Sequence, residues 1–194
     1  MDIKRLLELV DLAIEMEPVP KVKEYCGVNF SPYYNLLYLI AKEIGSGSII
    51  ELGVETGRGM NAIIEGVNDG PTGAWGIYGV DNKKCPELDR LLLPEPRFNF
   101  ILGSSLPPPE EFNTNVPRLG LLHVDTEHSF AQAREEFNGY KKFLFSGAVV
   151  LFDDTNAMDG DVRRFVESLP YDKFFDDRLH PSCGYGGIIF KEDV

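Results

Sequence analysis

The chain has 194 residues, of which 43% are hydrophobic, 26% charged and 11% aromatic. That length suits one domain burying roughly 70% of its unfolded surface. The net charge of −12 argues against nucleic acid or an anionic membrane as the main partner, because both are polyanions.

Ile3, Leu6, Leu7, Val10, Ala13 and Ile14 recur at helical spacing and predict an amphipathic helix over 2–16, stopped near Pro18. Residues 19–30 read as irregular. SPYYNLLYLIAKEIG (31–45) reads as a second helix, with Ser31 as N-cap, Pro32 in the first turn and Gly45 past the end. The pattern then changes. SIIELGV (48–54) is a short β-branched run, hence a buried strand, and 58–67 reads as helix. AWGIYGVD (74–81) and FNFILGSS (98–105) are further strands, with a short helix over 86–93, and LGLLHVD (119–125) is a fourth strand. Ser129 and Gln132 form a capping-box pattern before an apolar stripe of Phe130, Ala133, Phe137, Tyr140 and Leu144, with Gly147 ending that helix. AVVLFDD (148–154) is a fifth strand, 159–168 a helix, and KFFDDR (173–178) and YGGIIFK (185–191) the last two strands.

Strands alternating with helices imply an α/β fold: a Rossmann-like seven-stranded sheet, mostly parallel, with helices on both faces. The final two strands are too close in sequence for a parallel crossover, so they pair antiparallel. The expectation is one domain over 1–194, with a helical extension at 1–45 and the core at 48–191. Cys26, Cys85 and Cys183 are far apart, without metal-type spacing, and read as free thiols in a reducing compartment. Charges run through the N-terminal apolar pattern, unlike a signal peptide, and no apolar run reaches membrane-spanning length. A cytoplasmic protein is expected. The N-terminal helices are free to pack on their own core or on a second copy.

IIELGVETGRGMN (49–61) is a strand, a glycine-rich turn and a helix start. Gly53, Gly57 and Gly59 allow a tight turn and close approach to a ligand. The spacing G-x-x-x-G-x-G is not the dinucleotide fingerprint G-x-G-x-x-G. Glu51 is a poor guest in a buried strand and needs a partner, a role a cationic ligand group would fill. Asp81, ending the second strand, is placed to accept hydrogen bonds from a ribose diol.

E-L-G-V-x-x-G-x-G followed by a strand ending G-V-D resembles class I S-adenosylmethionine-dependent methyltransferases. The resemblance implies that Glu51 helps hold the methionine end of S-adenosylmethionine, with Gly53 and Gly57 in the turn and Asp81 on the ribose. That family often has Ser or Thr where Gly59 stands. ILGSS (101–105) resembles the turn near the adenine, which makes Ser104 and Ser105 candidates.

Asp125 ends the fourth strand and Asp153-Asp154 end the fifth. If the two strands are neighbours, three carboxylates meet at one edge of the crevice and repel one another. No Lys or Arg adjoins them in sequence, and a hard divalent cation would relieve the repulsion. VDTEHSF with LFDDT resembles the macrocin-type O-methyltransferase and cephalosporin-hydroxylase-like subgroup. By that resemblance Asp125, Asp153 and Asp154 bind Mg²⁺ or another divalent cation, with Asp125 also bordering the cofactor. His128 is the general base or orients the substrate. The implied activity is metal-dependent O-methylation of a small hydroxylated molecule. Acceptor selection falls to residues 1–30 and the loops at 106–117, 155–160 and 179–185. His123 reads as a satisfied core residue, and His180 has no assigned role. The competing readings are a dehydrogenase, which lacks its glycine fingerprint, an iron oxygenase using Asp125, His128 and His180, and a non-catalytic binding or interaction protein.

Overall fold

The structure, a computed structural model, describes residues 1–71, 74–92, 94–110, 112 and 118–192. Among these, seven strands form one sheet in the order β3-β2-β1-β4-β5-β7-β6. The strands are β1 (Gly47–Leu52), β2 (Ala74–Asp81), β3 (Phe98–Leu102), β4 (Leu119–Val124), β5 (Leu144–Asp153), β6 (Asp172–Phe175) and β7 (Tyr185–Ile189). Every pairing among β1 to β5 is parallel, and β7 runs antiparallel to both β5 and β6.

The near-continuous apolar strands follow from burial on both faces. Ile49, Leu121, Val149 and Ile189 share one core with α1 (Ile3–Glu15), α2 (Pro20–Cys26), α3 (Pro32–Glu43) and α4 (Arg58–Asp69). Their sequence neighbours Ile50, Leu122, Val150 and Ile188 share a second core with α6 (Phe130–Tyr140) and α7 (Asp161–Ser168). Between these groups lies a short α5 (Asp89–Leu92), entered through a 3-10 turn at Pro86–Leu88. The N-terminal helices therefore pack on the chain's own sheet. Leu6, Leu9, Leu36, Leu37 and Ile40 are fully buried there, each worth about 1.5–3 kcal/mol of transfer free energy.

Several expectations are corrected. Residues 20–26 form α2 because Pro20 sits in the first turn, where its missing N–H costs nothing, and Val22 and Cys26 bury one turn apart. Ser31 stands at the N-cap of α3 but donates its hydroxyl to Leu179 O at 2.7 Å instead of capping. Ser129 does cap α6, accepting from Gln132 N at 3.2 Å. The reciprocal half of the box is missing, because Gln132 Nε2 donates to Glu136. Helix α6 ends at Tyr140, and Leu144 already belongs to β5. Gly147, at φ +91°, lies inside that strand, where its N–H donates to Phe190 O. Residue 93 of the expected 86–93 helix, and residues 111 and 113–117 of the loop expected at 106–117, lie outside the described residues.

At the end of the sheet away from the strand C-termini, Glu95 is 4% exposed. Its carboxylate accepts from Arg97 Nε at 2.8 Å, Arg97 Nη2 at 2.9 Å and Arg97 N at 3.0 Å. These bonds hold Glu95 below the ordinary carboxylate range. A depressed carboxylate stabilises the fold above its unfolded pKa and loses that contribution as pH falls through the folded value. Glu95→Gln should therefore cost about 1–3 kcal/mol in urea unfolding at neutral pH. The gap to the wild type should close below about pH 4. A pH-independent gap would refute the linkage.

Candidate functional site

The parallel strands direct their carboxyl ends to one edge of the sheet. The chain leaves β1 toward β2 and β3, then returns to β4 on the other side of β1. This reversal of strand order opens a crevice between β1 and β4. A cavity of about 1010 Å³ lies there, walled by the turns after β1, β2, β3, β4 and β5, by Asn29–Tyr34, and by His180–Ser182. Of the loops expected to select an acceptor, the 29–30 and 180–182 segments reach it. Residues 155–160 and the described part of 106–117 do not line it.

The glycines of the first turn make room mainly for protein. Gly53, at φ +83°, has its backbone on the cavity, and a Cβ there would stand 1.7 Å from Asp125 O. The two strand ends thus touch, with Asp125 N donating to Leu52 O at 2.8 Å. A Cβ on Gly59 would stand 2.0 Å from Glu51 Oε1. Gly57, facing Leu88 and Tyr25, and Gly59 lie behind the cavity wall.

Glu51 also lies behind the wall, at 1% exposure. Its sequence-inferred partner was a cationic ligand; the structure supplies His123, the register neighbour on β4, with Nδ1 at 3.0 Å from Glu51 Oε1. Burial pushes Glu51 up. Burial opposes the charged form of His123 too, but the adjacent carboxylate prevails and raises it. Glu51 Oε2, His123 Nε2 and the Tyr185 hydroxyl have no hydrogen-bond partner among the described residues.

Asp81 closes β2 and lines the cavity. Its Oδ2 accepts from Glu55 N at 2.8 Å and its Oδ1 from Lys83 N at 2.9 Å. These bonds aim the carboxylate and leave each oxygen a lone pair. Ser104 lines the cavity beside Ser105. Below them Glu136, fully buried, accepts from the Ser105 hydroxyl at 2.5 Å, Thr126 Oγ1 at 2.8 Å and Gln132 Nε2 at 2.8 Å. Burial raises Glu136, and its three donors oppose that shift. This network joins the turns after β3 and β4 to α6.

β4 and β5 are neighbours, so Asp125, Asp153 and Asp154 do share one wall. The charge that balances them comes from histidines distant in sequence or folded back. His128 Nδ1 stands 2.9 Å from Asp154 Oδ2, and its Nε2 stands 3.5 Å from Asp125 Oδ1 without an aligned hydrogen bond. His180 Nδ1 stands 2.7 Å from Asp153 Oδ1 and 3.5 Å from Asp154 Oδ1. Asp125 and Asp154 push His128 up to about 10, so its pKa is far from the ordinary value near ~6.5 that suits a general base. Asp153 likewise raises His180. Asp125 is raised by burial and by Asp153 against the pull of His128. Burial would raise Asp154, but His128, Cys183 and His180 together lower it. Asp154 sits at φ +54°, a strained backbone for a non-glycine residue that recurs at functional sites.

The ligand atoms gathered most compactly among the described residues belong to Asp154, His180 and Cys183, within 4.8 Å of one another. Neither Asp125, Asp153 and Asp154 nor Asp125, His128 and His180 are gathered in this way among the described residues. Sequence reasoning named His180 only for the oxygenase reading, and missed Arg58, Glu136 and the two tyrosines Tyr33 and Tyr34 on the cavity wall. For His180 the only signal was its place in a loop near the last strand. No helix among the described residues is long and apolar enough to cross a membrane.

The fold recurs in known enzymes. One similar structure is a Staphylococcus aureus protein described as a caffeoyl-CoA O-methyltransferase, with a TM-score of 0.65 and 17% identity over 96% of this chain and 100% of that one. Another is an O-methyltransferase from Bacillus cereus in complex with SAH, with a TM-score of 0.64 and 15% identity over 98% and 92%. A third is CalS11, the TDP-rhamnose 3′-O-methyltransferase of calicheamicin biosynthesis, with a TM-score of 0.63 and 14% identity over 96% and 92%. No curated protein sequence matches the chain. At such identities these structures establish the architecture. The family follows from the sequence itself, since a methyltransferase-domain family model matches residues 50–155. That segment is more than half of the chain and runs from the glycine turn through Asp81 and Asp125 to the acids ending β5, so the protein belongs to the methyltransferase-domain family.

Proposed function

We propose that the protein is an S-adenosylmethionine-dependent O-methyltransferase for a small hydroxylated acceptor. The observation that carries this reading is the placement of Asp81 on one side of the β1 turn and the acid–imidazole wall on the other, in one cavity. A volume of about 1010 Å³ is at the upper end for single-ligand pockets, about 300–1,000 Å³, and suits donor and acceptor together. The lining acids Glu55, Asp81, Asp125, Glu127, Asp153 and Asp154 outnumber Arg58, His128 and His180, which favours a cationic cofactor. The acceptors named for two similar structures, caffeoyl-CoA and TDP-rhamnose, both offer hydroxyls. The N-terminal helices contribute part of the wall, so residues 1–45 and 48–191 act as one unit.

When bound, the cofactor supplies an electrophilic methyl group on a sulfonium. The chain's own work is to align that group with an acceptor oxygen and to take the acceptor's proton. Asp81 holds the ribose, and Ser104 borders the adenine. Asp154 and Asp125 hold the His128 ring from its two nitrogens, at 2.9 and 3.5 Å, and the ring lines the cavity where an acceptor hydroxyl would lie. In the free cavity Asp125 and Asp154 favour the charged form of this ring. It becomes a base once its carboxylates are shared with another cation. Glu51, buried on His123, supports the floor of the site from behind.

A divalent cation fits this wall by donor chemistry. Asp154 Oδ1 is buried without a hydrogen bond, and Asp125 and Asp153 lie on the same wall. With a metal present, these acids would hold it, and it would supply stabilisation of the acceptor's oxyanion. The nearest donor group mixes oxygen, nitrogen and sulfur, which favours Zn²⁺ over Mg²⁺. Zn²⁺ should therefore raise the melting temperature of the wild type more than Mg²⁺ does, and should lose that effect in Asp154→Ala. Equal shifts in the two proteins would remove the metal from the proposal.

The functional test is calorimetric binding of S-adenosylhomocysteine, followed by labelled methyl transfer to a panel of catechols, phenols and sugars. Saturable binding and transfer to oxygen are expected. No binding would overturn the reading.

A further inference from the structure

We infer that Arg58 forms a carboxylate subsite that anchors the methionine end of the cofactor. The inference rests on the reading of the cavity as an S-adenosylmethionine site. Arg58 is the first residue of α4 and, among the described residues, the one Lys or Arg on the cavity wall. Its side chain is 28% exposed, yet its guanidinium makes no hydrogen bond among the described residues. The nearest acid, Glu55 Oε2, is 3.8 Å away on a side chain that is 79% exposed. Such a pair contributes little.

A guanidinium on the cavity wall with no protein hydrogen bond among the described residues is open to an acceptor. Its planar fork matches a carboxylate through two parallel bonds. Position selects which carboxylate. Glu55 N is bonded to Asp81 Oδ2, so the turn that leads from Glu55 into Arg58 is held against the ribose acid. Asp125, Asp153 and Asp154 line the far wall and would repel an anion. A ligand with its ribose on Asp81 and its sulfonium toward the acids has its remaining negative group available to Arg58. The neutral side chains Phe30 and Tyr34 line the cavity as well, and they offer that group no competing charge.

The test compares two ligands that differ in the amino-acid end. S-adenosylhomocysteine carries the carboxylate, and 5′-methylthioadenosine keeps the nucleoside and lacks it. Calorimetry on wild type, Arg58→Met and Arg58→Lys should show S-adenosylhomocysteine weakened about 10–100-fold in Arg58→Met. Methylthioadenosine should change less than about threefold, within the scatter of surface substitutions. Arg58→Lys should recover part of the loss. Thermal unfolding without ligand verifies that each variant is folded, and Arg58→Lys serves if Arg58→Met does not fold. Unchanged S-adenosylhomocysteine affinity overturns the subsite, as does equal weakening of both ligands. A wild type that binds neither ligand overturns the cofactor reading itself, a result distinct from failure of Arg58 alone.

Discussion

Asp81→Ala is expected to weaken S-adenosylhomocysteine binding by about 100-fold or more, measured by calorimetry. The variant removes two charge-assisted acceptors for a ribose diol, each worth about 1.5–3 kcal/mol. It also releases Glu55 N and Lys83 N, which the carboxylate now holds. The turn after β1 and the turn after β2 are thereby uncoupled. Asp81→Asn keeps one oxygen acceptor and should fall between wild type and Asp81→Ala. The side chain is at the surface of the cavity rather than in the core, so the unfolding midpoint should move little. If both variants bind like the wild type, the ribose does not lie on Asp81 and the cavity is misread.

His128→Gln is expected to lower kcat by about 100-fold or more, the scale of a lost general base, with S-adenosylhomocysteine affinity within about threefold. The ring lies between two carboxylates, with Nδ1 2.9 Å from Asp154 and Nε2 3.5 Å from Asp125. Asp154→Asn keeps the side-chain shape but removes the charge that orients and protonates the ring. It should therefore reduce kcat less than His128→Gln. A His128→Gln enzyme with normal kcat and a raised KM would show that the ring only binds the acceptor.

Much of the architecture could be read from the chain because it depends on local pattern. Short β-branched runs alternating with 3.6-period helices specify a parallel sheet covered on both faces, and all seven strands were found close to their positions. The errors came where tertiary contacts outweigh pattern. Residues 20–26 looked irregular because a seven-residue helix is too short to show a period, and only packing of Val22 and Cys26 makes it helical. Leu144 continued a helical stripe in sequence but is claimed by the sheet.

The candidate site divides in the same way. The acids Asp81, Asp125, Asp153 and Asp154 announce themselves because polar residues at the ends of apolar strands fall at one edge of such a sheet. Their counter-charges do not. Those pairings depend on which elements lie side by side, and the strand order 3-2-1-4-5-7-6 brings Glu51 against His123 across β1 and β4. The antiparallel β7 returns the loop carrying His180 to Asp153. The glycine turn likewise showed where the backbone must bend, but not that Gly53 yields to Asp125 O and Gly59 to Glu51. The sequence alone thus determined the element types, the sheet edge and the acids on it, because each follows from periodicity within one segment. Only the tertiary structure decided what neutralises those acids and that Arg58 stands on the cavity wall. The pairs His128–Asp154, His180–Asp153 and Glu51–His123 join residues 26 to 72 positions apart, and no local rule reaches that far.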